Sequence, residues 1–208
     1  MVVLKLLLYE CRKIKFNRVI HLDMNDKPQH TKAFQESIVV KQKILEQKVH
    51  EIIPEMGELI INSIMTGNKL ITCGNGGSAA DAQHLAAELL IRLKPKNNRQ
   101  SIPAISLAQD VSTITACGND FGFNQVFGRV LESIGNEGDI LLIISTSGNS
   151  ENIIYATEVA KKKNITVISF LGSGGGKVLN ACKKTFLVPS TDTARIQESH
   201  ITAGHALM

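Results

Sequence analysis

The side chains best suited to chemistry lie on two predicted helices, and the first of these carries His84 and Glu88 in "AADAQHLAAELL". A spacing of four residues places both side chains on one face of a helix. A solvated polar face would explain such a pair, but the neighbouring alanines and leucines favour a packed helix. An imidazole and a carboxylate on a packed helix suit either metal ligation or acid–base chemistry.

The second predicted helix begins near Thr193 and carries Gln197 and His205. Eight residues separate the two, which is about 12 Å along a regular helix and too far for one metal ion to bind both easily. Either Gln197 lies at a distorted helix start, or the two residues flank the site from opposite sides.

Two loops have the composition of an anion site. The asparagine loop, residues 74–78 (GNGGS), has glycines that let backbone N–H groups approach a ligand, and Ser78 can cap the next helix or donate its hydroxyl. The hydroxyl loop, residues 145–150 (STSGNS), follows the most apolar predicted strand and offers four hydroxyls. Ordinary turn and cap chemistry would explain either loop alone. Two such loops at equivalent strand ends favour phosphate binding.

Two other glycine motifs fail their tests. Gly74-x-Gly76-x-x-Ala79 fits a dinucleotide fingerprint, but that motif needs an acidic residue about 20 positions on, and Asp110 lies 36 residues past Gly74. "GSGGGKV", residues 172–178, resembles a P-loop but lacks its first glycine and the Ser or Thr after Lys177. Neither a nicotinamide cofactor nor a nucleotide is therefore expected.

Strands and helices alternate along the chain, which predicts an α/β fold with a parallel sheet. Five apolar runs predict strands at 69–73, 103–107, 139–144, 166–171 and 185–188. Helices are predicted at 31–53, from Pro54 to Gly67, and at 79–92, 111–117, 124–134, 151–163 and 177–183, with the last from Thr193. Ligands bind at the carboxyl ends of the strands in such sheets, where both loops lie.

The first two predicted helices carry more apolar residues than one stripe on a sheet can bury, which predicts a role in oligomerisation. The expected inward stripe of the first helix is Phe34, Ile38, Leu45, Val49 and Ile52. For the second helix, the expected inward residues are Leu59, Ile60 and Ile64.

Composition limits the partners. The net charge is +4, and residues 1–30 contain six Lys and Arg against three acids, so the remaining chain is nearly neutral and not typical of a nucleic-acid binder. No apolar run reaches the ~18 residues of a membrane span. The four cysteines lie far apart, with no C-x-x-C pair, which favours reduced thiols in a cytosolic protein. We expect residues 1–30 to be a poorly ordered extension and residues 31–208 to be one domain.

Four blocks resemble the sugar isomerase (SIS) domain, and specifically the sedoheptulose 7-phosphate isomerases, also called phosphoheptose isomerases. The blocks are "CGNGGSAADAQHLAAEL", "GNDFGFN", "GDILLIISTSGNSENII" and "DTARIQESHITAGHAL". The resemblance covers about residues 31–208. It implies a three-layer α-β-α sandwich with a five-stranded parallel sheet, in a cytoplasmic homotetramer with sites at subunit interfaces and one Zn²⁺ per subunit.

The resemblance also implies roles for individual residues. The zinc ligands would be His84, Glu88, Gln197 and His205, and the catalytic pair would be Glu88 and His205. The substrate would contact Asn75, Gly76, Gly77, Ser78, Glu88, Asn119, Asp120, Ser145, Thr146, Ser147, Ser150 and Gln197.

The implied reaction is an aldose–ketose isomerisation of sedoheptulose 7-phosphate through an enediol. The resemblance implies that its product, a manno-heptose 7-phosphate, is a precursor of the heptose nucleotides used for lipopolysaccharide, capsule or surface-layer glycans. The alternative is a non-catalytic SIS protein that binds a replication initiator. Such binders typically lack the carboxylate and the imidazole found here at Glu88 and His205, which favours the isomerase.

Overall fold

A computed structural model describes residues 29–172 and 174–208. The predicted extension, residues 1–30, lies outside the described residues except for its last two, which begin the first helix. Within the described residues, no helix is long and apolar enough to cross a lipid bilayer.

Five parallel strands form one sheet in the order β2-β1-β3-β4-β5. The strands are β1 (Leu70–Gly74), β2 (Ala104–Ser106), β3 (Ile140–Ser145), β4 (Thr166–Leu171) and β5 (Lys184–Leu187). All five predicted strands are confirmed, and every strand end lies within one residue of its prediction. The central strand β3 is buried along its whole length, as expected of a parallel strand that is covered on both faces.

Seven helices lie in the described residues. They are α1 (Gln29–Glu46), α2 (Ile52–Met65), α3 (Gly77–Leu90), α4 (Val111–Asp120), α5 (Val126–Ile134), α6 (Glu151–Lys162) and α7 (Thr193–Leu207). The helix predicted at 177–183 is wrong, because only a short 3₁₀ turn forms there, at Leu179–Ala181. Glycines 174–176 all have positive φ and carry the chain as a loop, which leaves too few residues before β5 for a helix.

Side chains alternate between the two faces of the sheet, and each face meets its own helices. Leu141 and Ile143 face α5 and α6, whereas Leu142 and Ile144 face α2, α3 and α7. Two apolar layers result, one on each side of the strands, and the predicted three-layer sandwich is confirmed. Cys73 and Cys117 are buried free thiols, as expected.

The predicted inward stripe of the first helix is wrong for the residues on α1, whereas Val49 and Ile52, which lie beyond the end of α1, do pack against the core. α1 ends at Glu46, and Lys48 adopts a left-handed conformation with φ of 57°, so no single helix runs to residue 53. Val40 and Ile44 are the buried residues of α1, while Ile38 and Leu45 are exposed.

The second helix agrees better with its prediction. α2 begins at Ile52, so Pro54 lies in its first turn, where proline costs no backbone hydrogen bond. Ile60 is buried, Leu59 and Ile64 are partly buried, and Gly67 with φ of 89° follows the helix end.

Candidate active site

The carboxyl ends of β1 and β3 bring the two predicted anion loops together. Gly74 pairs with Ile144 in the parallel register, so the asparagine loop and the hydroxyl loop leave adjacent strands at the same edge. The side-chain amides of Asn75 and Asn152 exchange two hydrogen bonds of 2.9 Å each, which join the first loop to the helix that follows the second. Asn152 was not predicted from the sequence, although its place in the first turn of a helix after a loop was a usable signal.

The asparagine loop owes its shape to its glycines. Gly76 has φ of 56° and ψ of −122°, a conformation that suits glycine, and a Cβ on Gly74 would lie 2.4 Å from the Ser78 carbonyl oxygen. Gly76 is the N-cap of α3 and no side chain caps this helix, so the predicted capping role of Ser78 is wrong. Ser78 is instead buried in the first turn. Among described groups, the N–H groups of Gly76 and Gly77 have no backbone acceptor.

Two of the four hydroxyls in the hydroxyl loop accept hydrogen bonds from its own backbone. The buried Ser145 Oγ accepts a 3.0 Å hydrogen bond from the N–H of Gly148, and Ser147 Oγ accepts a longer one of 3.2 Å from the N–H of Asn149. Ser147 is exposed, and Thr146 and Ser150 are half-buried. Three of the predicted phosphate hydroxyls are therefore accessible to a ligand, and Ser145 supports them.

His84, Glu88 and His205 come together between α3 and α7. His84 Nε2 lies 2.9 Å from His205 Nε2 and 3.4 Å from Glu88 Oε1. The two helices pack closely because Gly204 faces Leu85: a Cβ on Gly204 would lie 2.6 Å from a Leu85 methyl carbon. A glycine on α7 therefore lets His205 reach the predicted pair on α3.

Gln197 lies about two turns before His205 on α7, and its side chain packs against Gly77. A Cβ on Gly77 would be 2.7 Å from Gln197 Nε2, so the amide covers the first turn of α3 beside the asparagine loop. α7 is a regular helix from Thr193, capped by Asp192, which accepts a hydrogen bond from the N–H of Arg195. The distorted helix start, one of the two alternatives for Gln197, is therefore wrong.

The predicted zinc ligands offer the nitrogen and oxygen atoms that Zn²⁺ binds, and some of the distances between these atoms suit a Zn²⁺ site. Two nitrogen or oxygen ligands of a tetrahedral zinc lie about 3.3 Å apart, close to both distances from His84 Nε2. In the part of the chain that the structure describes, however, no three His, Cys, Asp or Glu side chains are gathered as a complete metal site. The donors available are two imidazoles and a carboxylate, with the Gln197 amide farther along the same helix pair.

Asp81 belongs to the same face of α3 and was missed as a site residue. It precedes His84 by three residues, and its buried Oδ2 has no hydrogen-bond partner among the described residues. Burial raises the pKa of the Asp81 carboxyl above its ordinary value, and the nearby His84 and His205 offset the shift only in part. The helical spacing of residues 81, 84 and 88 was the signal that could have found it.

Asn119 and Asp120 make no hydrogen bond to the other predicted site residues in the part of the chain that the structure describes. They lie exposed at the end of α4, and the Asn119 side chain donates a 2.7 Å hydrogen bond to Asp120 Oδ1. The structure describes no contact from either side chain to the two loops or to His84. Their predicted contact with the sugar stays a prediction.

Comparison with known proteins agrees with this arrangement. The SIS domain family matches residues 33–172. A phosphoheptose isomerase from Aquifex aeolicus is 47% identical over 176 residues, which cover 85% of this chain and 91% of the relative. One from Clostridium acetobutylicum is 46% identical over 170 residues, which cover 81% of this chain and 86% of the relative.

A solved structure extends the comparison to three dimensions. The phosphoheptose isomerase of Neisseria gonorrhoeae superposes with a TM-score of 0.80 at 41% identity, over 86% of this chain and 94% of that chain. The chain therefore belongs to the SIS-domain family and, within it, to the phosphoheptose isomerases.

Proposed function

We propose that this protein is an isomerase that converts sedoheptulose 7-phosphate to D-glycero-D-manno-heptose 7-phosphate. The observation that carries the proposal is that Glu88 and His205 meet near His84 between two packed helices, and that the first of these helices begins at the asparagine loop, next to the hydroxyl loop. One part of the site offers groups that move protons, and the other offers neutral donors for a phosphate.

The hydroxyl loop anchors the phosphate away from the reacting carbons. Thr146, Ser147 and Ser150 donate hydrogen bonds from their hydroxyls, and the N–H groups of Gly76 and Gly77 add donors at the positive end of α3. Holding the phosphate fixes the other end of the sugar relative to Glu88, which lowers the entropic cost of reaching the transition state.

Glu88 removes the proton from C1 of the ketose, which gives an enediol, and returns it at C2. His205 carries the second proton, from the oxygen on C1 to the oxygen on C2, so that the hydroxyl and the carbonyl exchange places. His84, Glu88, Gln197 and His205 would hold a Zn²⁺ ion, which when bound polarises the substrate carbonyl. Asn119 and Asp120 contact the sugar.

The working assembly is proposed to be a cytoplasmic homotetramer with sites shared between subunits. Apolar side chains remain exposed on the first two helices, among them Ile38, Val39, Ile61 and Met65. Burial of such a surface against other copies would stabilise an assembly.

Turnover of sedoheptulose 7-phosphate by the purified protein tests the proposal. We expect formation of the aldose product, loss of activity with a zinc chelator and recovery on adding Zn²⁺, with about one Zn²⁺ per subunit by metal analysis. No turnover by zinc-loaded protein would contradict the proposed reaction. Full activity in metal-free protein would contradict the zinc assignment alone.

A further inference from the structure

The glycine loop, residues 174–177, packs backbone against backbone on the hydroxyl loop. A Cβ on Gly176 would lie 2.3 Å from the Ser147 carbonyl oxygen, and a Cβ on Gly148 would lie 1.9 Å from the Gly175 carbonyl oxygen. Neither position leaves room for a side chain. The two loops therefore touch at the turn that presents Ser147 and Ser150.

Hydrogen bonds hold the main chain of Lys177 at this contact. Its N–H donates to Asn149 Oδ1 at 3.0 Å, and the next residue, Val178, donates its N–H to the Gly148 carbonyl at 3.3 Å. The Asn149 amide also donates to the Ser147 carbonyl at 3.0 Å. The Cα of Lys177 is thus held beside the hydroxyl loop by bonds that do not involve its side chain.

The hydroxyl loop carries no charge of its own. Residues 145–150 are all neutral, and the residue that follows, Glu151, is an acid. A sugar phosphate brings close to two negative charges at neutral pH. The hydroxyl and N–H donors of the loop can hydrogen-bond the phosphate oxygens, but they do not neutralise the negative charge of the phosphate.

Lys177 is a cation that can do so. Its side chain is exposed and makes no ion pair among the described residues. Arg195, at the start of α7, is already paired with Glu198 at 2.7 Å and with Glu36 at 3.6 Å. A flexible four-carbon stem on an anchored backbone suits a point charge that meets a phosphate.

We infer that Lys177 supplies the positive charge for the substrate phosphate bound at the hydroxyl loop, and so selects phosphorylated sugars. The inference rests on the proposed function and names a binding residue for the same site. Because the bonds to the hydroxyl loop come from the main chain, replacing the Lys177 side chain removes the charge and leaves the loop packing in place.

Kinetics of Lys177→Met and Lys177→Arg test the inference, with Lys162→Met, at the far end of α6, as the matched control. We expect Lys177→Met to raise KM for sedoheptulose 7-phosphate and the inhibition constant of inorganic phosphate by about tenfold, with little change in kcat. Its KM should also depend less on salt than that of the wild type, since an electrostatic attraction has been removed. Lys177→Arg should restore most of the affinity, and Lys162→Met should behave as the wild type.

Unchanged KM and unchanged phosphate inhibition in Lys177→Met would overturn the inference while leaving the proposed function intact. If the wild type does not turn over sedoheptulose 7-phosphate, the proposed function fails instead. Calorimetric titration with inorganic phosphate then decides the inference: weaker binding to Lys177→Met than to the wild type supports it, and equal binding overturns it.

Discussion

The side chain of Glu88, the proposed base, is mostly buried but still partly exposed to solvent. It is 16% exposed and has one oxygen 3.4 Å from His84 Nε2. The other carboxylate on this face, Asp81, is two turns away along α3. No second carboxylate on its own helix can therefore take over proton transfer between C1 and C2.

Glu88→Gln should lower kcat by about 10²–10⁴-fold, because the amide keeps the shape and removes the base. Calorimetry should still detect binding of the sugar phosphate, since the hydroxyl loop is unchanged. Glu158→Gln, an exposed carboxylate on α6, is the matched control and should keep wild-type turnover. Near-normal kcat in Glu88→Gln would mean that the base lies elsewhere.

Part of this site could be predicted from residue spacing, and part could not. His84 and Glu88 pair because a four-residue spacing repeats the helical period, which the sequence displays directly. Asp81 was missed as a site residue because its pKa depends on burial from solvent and on the nearby imidazole of His205. His205 lies on a helix more than 100 residues later in the chain. The eight-residue spacing of Gln197 and His205 predicted their separation along one helix, but the part of α3 that each residue meets depends on helix packing and could not be predicted from that spacing.

At the scale of the elements, strands were easier to predict than helix faces. Each strand is an apolar run between turn residues, and both faces of the central strands are buried, so the signal is continuous. α1 is apolar on more than one face, and periodicity alone cannot say which face meets the sheet. Its buried residues are Val40 and Ile44, whereas the predicted Ile38 and Leu45 are exposed.

α7 also carries a buried titratable group, His200, away from the chemistry. Its ring is fully buried and packs on Phe170 with ring centroids 5.9 Å apart. Neither ring nitrogen makes a hydrogen bond of normal geometry with the described residues. Burial lowers the pKa of His200 from 6.5 to about 4, and the nearby Leu171 backbone only weakly opposes the shift.

The free energy of unfolding should therefore fall as the pH drops from about 6.5 towards 4. In this range the unfolded chain binds a proton at His200 that the folded chain excludes, and at pH 5 the loss should be about 2 kcal/mol. Urea unfolding at pH 7 and pH 5 measures it. His200→Leu should flatten the dependence, and Phe170→Leu, which alters the same packing without removing a titratable group, should keep it. An equal dependence in His200→Leu and the wild type would contradict the assignment.

At the scale of the whole molecule, α2 has an apolar face that the described residues of its own chain do not cover. Ile61 and Met65 lie four residues apart on this face and are 60% and 80% exposed. Two large apolar side chains on one helix face suit a contact with another copy of the chain.

The double substitution of Ile61 and Met65 by Asp should shift the protein to a smaller species in light scattering. Two carboxylates buried at a subunit contact would lose their hydration without gaining a hydrogen-bond or ion-pair partner, which would destabilise the contact. Asn62→Asp, an exposed change on the same helix, is the control and should leave the mass unchanged. If the double variant keeps the mass of the wild type, this face of α2 is not a subunit contact.

The reciprocal amide pair of Asn75 and Asn152 has a consequence for how the protein folds. Its two partners are 77 residues apart in the chain and meet only after β1 and β3 have paired, with β2 placed on the outer side of β1. Contacts of such long range form late, because the loop-closure entropy must be lost before they contribute. Affinity for phosphate should therefore appear in refolding only with the slowest phase of sheet assembly, after most helical signal has returned.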